Sequence, residues 1–143
     1  MKLDDADVVE ITFHVRYAET DAMGIVHHAS YIVWFEEGRS AWGRAKGLPY
    51  NDFEKAGFFL ALSELHARYA MPARYGQRVT VRTRLTEVRS RSLRFAYEIV
   101  DADSECLFVS GETRHICVTR EGRPTRLPAA WTERLAGVKA EAG

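Results

Sequence analysis

A single long helical pattern stands among strand patterns, and this arrangement constrains the fold more than any other feature of the chain. From His28 to Lys46, Tyr31, Trp34, Phe35, Gly38, Ala41, Trp42 and Ala45 recur at spacings of three and four, which gathers them on one face of a helix. Ile32 and Val33 widen that face beyond a narrow stripe, so the helix needs cover on more than one side. Glu36 and Glu37 come early and Arg44 and Lys46 late, the order that complements a helix dipole. Gly47 and Pro49 supply the stop.

The segments around the helix alternate instead. Before it, Ile11, Phe13, Val15 and Tyr17 are separated by Thr12, His14 and Arg16, the pattern of a half-buried strand. After it, Tyr50 to Ala56 can add one more helical turn. Four strand patterns follow. Phe58 to Met71 sets Ala61, Ser63, Leu65, Ala67 and Tyr69 against Leu62, Glu64, His66 and Arg68. Arg78 to Val88 places Val79, Val81, Thr83 and Leu85 together. Leu93, Phe95, Tyr97 and Ile99 form the next, and Leu107 to Val118 the last. The tail from Leu127 reads as a short helix or a frayed end. Short turns between strands imply antiparallel hairpins. The expected fold is α+β, a five-stranded antiparallel sheet wrapped around one long central helix, because this buries both apolar surfaces at once. At 143 residues the chain is one domain, 1–143, with 1–8 and 132–143 expected to fray.

Composition narrows the class. Twenty basic and 20 acidic residues cancel, so no overall field favours nucleic acid or an anionic membrane. No stretch approaches the ~20 apolar residues of a membrane span, and the acidic Met1 to Val9 lacks a leader's apolar run. A cytoplasmic protein is expected. Cys106 and Cys117 both fall in strand patterns and read as core thiols of a reducing compartment. No HxxxH, HxH or CxxC spacing occurs, and no metal is expected.

Candidate chemistry concentrates between Tyr17 and Tyr31. Asp21 stands on the loop between the first strand and the helix, and His28 follows seven residues later in the first helical turn. A helix start offers unpaired N–H groups and a positive partial charge. Those donors can hold an oxyanion while a nearby carboxylate attacks a carbonyl or activates water. These are the minimum parts of a hydrolytic acyl-transfer site. Yet an aspartate before a helix is also a common cap, and a loop histidine is often a solvated group. Spacing alone leaves both readings open.

The same stretch resembles the signature of the 4-hydroxybenzoyl-CoA thioesterase family, and within it the acyl-CoA thioester hydrolases associated with the Tol-Pal cluster. The residues that carry the resemblance are Tyr17, Glu19-Thr20-Asp21, Gly24-Ile25-Val26, His27-His28, Ala29-Ser30-Tyr31 and Phe35-Glu36-Glu37-Gly38-Arg39. It implies a hotdog fold and hydrolysis of short- to medium-chain or aromatic acyl-CoA to free acid and CoA. No cofactor is implied, coenzyme A being part of the substrate. Asp21 would be nucleophile or general base, His28 would present its backbone N–H to the thioester carbonyl, and Tyr17 would support the site. The resemblance further implies a homodimer or homotetramer with sites at a subunit interface. Glu36 and Arg39 would hold the helix or meet a second subunit. His27 and Ala22-Met23 depart from what relatives often carry, which bears on the acyl group.

Arg89, Ser90 and Arg91 fall in a turn between strands. They read either as a grip on the phosphates of the CoA moiety or as a solvated turn. Phe58, Phe59, Leu60 and Leu62 read as acyl pocket or dimer seam. Two further functions fit the same fold. A hydratase or dehydratase would use a different helix signature from Asp-x6-His, and an acyl-CoA-binding module would bind without turnover. The carrier, coenzyme A or acyl carrier protein, is left open.

Overall fold

The computed structural model describes residues 7–136. In chain order these form β1 (Val9–His14), a 3-10 turn (Tyr17–Glu19), α1 (His28–Ala45), α2 (Tyr50–Lys55), β2 (Phe58–Tyr69), β3 (Arg78–Val88), β4 (Ser92–Asp101), β5 (Leu107–Thr119) and α3 (Ala129–Ala136). The five strands make one antiparallel sheet in the order β1-β3-β4-β5-β2. Helix α1 packs across β1, β3 and β4. The expected α+β arrangement is therefore present. Of the segments expected to fray, 1–6 and 137–143 lie outside the described residues. Residues 132–136 instead belong to α3, where Leu135 is buried.

The core forms where the two apolar patterns meet. Tyr31, Trp34, Phe35 and Trp42 of α1 are buried against Val79, Val81, Leu85, Phe95, Tyr97 and Ile99. Phe35 stacks on Tyr97 at 4.4 Å and Trp42 meets Phe95 edge-on at 5.3 Å. Each such side chain contributes about 1.5–3 kcal/mol through burial. Two glycines allow the close fit. A Cβ on Gly38 would lie 2.8 Å from Val81 Cγ1, and one on Gly111 would lie 2.8 Å from the Phe35 ring.

Several local expectations need correction. Strand β1 ends at His14 rather than Tyr17, because Glu19 folds back onto Arg16 and starts the 3-10 turn there. Ala45 is exposed, and Gly43 is buried in its place, since the chain beyond α1 returns over it with Leu48 N–H donating to Gly43 O at 2.7 Å. Cys106 lies in the turn before β5, half-buried, while Cys117 is buried within it.

The largest correction concerns β2, where Leu62 pairs with His115 but Glu64 with Arg114. Ser63 is therefore an extra, bulged residue. The register sets Leu60 opposite Cys117 and Ala67 opposite Gly111, both positions of β5 that share one face. Leu60 and Leu62 thus join Leu65 and Ala67 instead of opposing them.

Polar side chains also enter the core. His115 is 1% exposed, and its Nε2 lies 2.8 Å from Thr113 Oγ1. That hydroxyl meets Tyr97 OH at 2.6 Å, and Arg39 donates to Tyr97 OH at 3.4 Å. Burial, assisted by the positive Arg39, pushes the His115 imidazole down to about 3.

Candidate active site

The loop bearing Asp21 is built from short-range hydrogen bonds. Thr20 N–H and Oγ1 both donate to Tyr17 O, at 3.0 and 2.7 Å. Asp21 N–H donates to Ile25 O at 2.8 Å, and Gly24 N–H returns to Asp21 O at 3.0 Å. Gly24 closes this ring with a φ of 79°, a conformation that favours glycine. Asp21 Oδ1 accepts from Met23 N–H at 2.8 Å, which fixes the carboxylate on its own loop.

The helix start is capped by a different residue. His27 Nδ1 accepts from Ala29 N–H at 3.2 Å, and His27 O accepts from Ser30 N–H at 2.9 Å. His27 N–H itself donates to Glu19 O at 2.8 Å. Of the amides that open α1, His28 N–H has no partner among the described residues. Helix geometry leaves such a group available to an external acceptor. The capping alternative for Asp21 is thus not what the structure contains.

Asp21 and His28 line one cleft of about 390 Å³, with Ile25, Val26 and Tyr31. Its other wall is the end of β2 and the segment after it, Tyr69, Ala70, Met71 and Pro72. Two ties hold the walls together. Val26 N–H donates to Ala73 O at 2.9 Å, and Tyr69 OH donates to His28 O at 3.1 Å. Tyr31 OH accepts from Ala73 N–H at 2.9 Å, and burial pushes its phenol up. This second wall leaves no local signal in the sequence. Tyr69 had a place in the alternation but no role, and His27 was noted without its capping function.

The other candidate residues are placed elsewhere. Tyr17 is 77% exposed, and its ring meets Tyr75 edge-on at 5.8 Å. It does not line the cleft; its carbonyl holds Thr20 instead. Arg89, Ser90 and Arg91 form the β3–β4 turn, where Arg89 pairs with Glu87 and Ser90 O accepts from Leu127 N–H at 2.9 Å. Ser92 faces Ile116 while Tyr69 faces Val109, so seven residues of β5, about 23 Å at strand rise, separate turn and cleft within one chain. Leu60 lines a different, apolar cavity of about 110 Å³ with Trp42, Phe53 and Phe95. Among the described residues no group of three or more His, Cys, Asp or Glu is placed to hold a metal ion, and no helix is long and apolar enough to cross a membrane.

In chemical terms the residues of this cleft include a loop-held aspartate, a histidine whose helix-opening amide has no partner among the described residues, and apolar side chains, parts that an acyl-transfer reaction can use. Comparison with known proteins agrees. The thioesterase-like superfamily matches residues 15–135. YneP of Bacillus subtilis (strain 168), whose name proposes an acyl-CoA thioesterase, is 38% identical over 75% of this chain and 77% of its own. The acyl-CoA thioester hydrolase YbgC of Escherichia coli O6:H1 is 30% identical over 80% of this chain and 85% of its own. The crystal structure of a DHNA-CoA thioesterase from Staphylococcus aureus superposes with a TM-score of 0.86 at 29% identity, over 91% of this chain and 89% of that one. With its five-stranded hotdog sheet, the chain belongs to the thioesterase-like superfamily and shares its thioester-hydrolase class of enzyme.

Proposed function

We propose that this chain hydrolyses acyl-coenzyme A thioesters in the Asp21–His28 cleft. The observation that supports the reading is that Asp21 and His28 line one cleft, and that the His28 N–H, at the opening of α1, has no partner among the described residues. The thioester carbonyl oxygen accepts from His28 N–H, and the negative charge that develops on it is held there. Asp21 then acts in one of two ways. It attacks the carbonyl carbon, expelling the CoA thiolate and leaving a mixed anhydride for water to cleave. Alternatively it removes a proton from a water that attacks directly. A thioester carbonyl is weakly resonance-stabilised and its thiolate leaves readily, so this sparse machinery suffices. One oxyanion donor is typically worth about 3–4 kcal/mol.

Several finer statements belong to the same reading. The substrate is a short- to medium-chain or aromatic acyl-CoA, and the chain sits in the Tol-Pal-associated branch. The motif from Tyr17 to Arg39 and the similarity to YbgC support this. The reaction needs no cofactor, and the protein works in the cytoplasm. It acts as a homodimer or a homotetramer. Strand β2 is a sheet edge, and exposed edges invite pairing. Two β2 edges paired antiparallel would set the Phe58 end of one chain beside the Tyr69 end of the other. Arg89 and Arg91 could then approach the partner's cleft, which they do not reach in their own chain.

A thiol-release screen over a panel of acyl thioesters tests the reading beside Asp21→Asn and Asp21→Ala. Both variants are expected to lose more than about 100-fold in kcat, the range of acid–base and nucleophilic roles, while still binding substrate. Full turnover in either removes Asp21 from the chemistry. Enoyl absorbance without thiol would mark a hydratase, and tight binding without product a carrier module.

A further inference from the structure

We propose that Glu19 is the positioning residue that holds the Asp21 loop in register with the opening of α1. The proposal rests on the reading of the cleft above and adds a residue to that reaction. Glu19 belongs to the run Glu19-Thr20-Asp21, yet it does not line the cleft. Its side chain is turned inward, 12% exposed. Oε2 accepts from Trp34 Nε1 at 2.5 Å and from Arg16 Nη2 at 2.7 Å, and Oε1 accepts from Arg16 N–H at 2.8 Å. Burial alone would raise this carboxyl, but the bonds from Arg16 and Trp34 hold it below its ordinary value. It is an ionised anchor, and charge-assisted bonds of this length are the strong ones.

What it is anchored to gives the clamp its purpose. Trp34 is wholly buried and packs edge-on against both Phe13 at 5.3 Å and Tyr31 at 5.1 Å. The ring is therefore fixed by β1 and by α1 itself. The main chain of Glu19 grips the same helix: its carbonyl accepts from His27 N–H at 2.8 Å and from Ser30 Oγ at 3.3 Å. Side chain and carbonyl thus tie one residue to both ends of the first two turns of α1. Asp21 follows two residues later. Its own hydrogen bonds close the 21–25 loop on itself, but they do not fix that loop relative to His28. Glu19 does. A misplacement of about 1 Å between a catalytic group and its substrate can cost roughly 100-fold.

The test uses the full-length enzyme and two cuts of the same clamp. Glu19→Ala removes the acceptor, and Trp34→Phe removes the donor while keeping an aromatic ring. Both are expected to lower kcat about 100-fold with KM little changed. Glu19→Gln, which still offers one oxygen to Trp34, should recover at least tenfold of the loss. The double variant Glu19→Ala/Trp34→Phe should be no slower than the single ones, since both break one interaction. Circular dichroism and thermal melting establish that each variant is folded. A lowered melting temperature with unchanged kcat per folded molecule would overturn the proposal, as would additive losses in the double variant. Asp21→Asn, run in parallel, separates the two claims. If it is inactive while Glu19→Ala turns over normally, only the positioning role fails. If it turns over normally, the reading of the cleft fails as well.

Discussion

Lowering the pH from 7 to 5 is expected to destabilise this protein by about 2 kcal/mol through His115 alone. The imidazole lies at about 3 in the folded chain, against 6.5 for the free side chain. Between those values the unfolded chain takes up a proton that the folded chain refuses, so stability rises with pH across the window. The contribution is complete above pH 6.5 and is lost progressively as the pH falls toward 3. Each pH unit below 6.5 is worth 1.36 kcal/mol, which gives about 2 kcal/mol at pH 5. The cause is structural. Thr113 occupies Nε2, Tyr97 and Arg39 close the same polar chain, and the ring is 1% exposed, so a charged imidazole finds neither water nor an anion. Urea unfolding of the wild type and of His115→Gln at pH 7 and pH 5 reads the effect directly. The substitution lowers stability at both values, but the loss between them should shrink by about 2 kcal/mol in the variant. Parallel losses in the two proteins would refute the reasoning.

Gly38→Ala should cost about 1–3 kcal/mol of stability in denaturant unfolding, because its methyl would press on the Thr83 hydroxyl and on Val81 in a closed interface. Neutralising Arg89 and Arg91 together should raise KM with little change in kcat if a partner's turn grips the nucleotide. An unchanged KM would leave these residues as a solvated turn.

The fold was legible because one helical period stood among several period-two segments, and a sheet wrapped on a single helix is the arrangement that covers both. Asp21 and His28 were legible for a local reason: both lie within one loop and one helical turn, where spacing is geometry. The far wall was not. Tyr69 reaches the cleft only because β2 pairs with β5 along its whole length, a contact between distant parts of the chain. Nor does composition say which cleft Arg89 to Arg91 could serve, since their hairpin opens at the far end of the sheet from the cleft of their own chain. The bulge at Ser63 hid inside an apparently regular alternation. Glu19 was visible as a motif residue, but its bond to Trp34 joins side chains fifteen positions apart. One signal was available and unused: Thr113 and His115 share the parity of Val109 and Cys117, so two polar groups were bound to face inward and to need each other.

The extra residue in β2 also limits what can be added beside it. A regular strand laid along this border could match the alternation on one side of Ser63 and would be out of step on the other, since a one-residue slip exchanges the two faces. A second β2 in the opposite direction carries its own irregularity near the midpoint of Phe58–Tyr69, so the two interruptions coincide. Under the proposed β2-to-β2 pairing, this border would admit its own copy more readily than a regular strand.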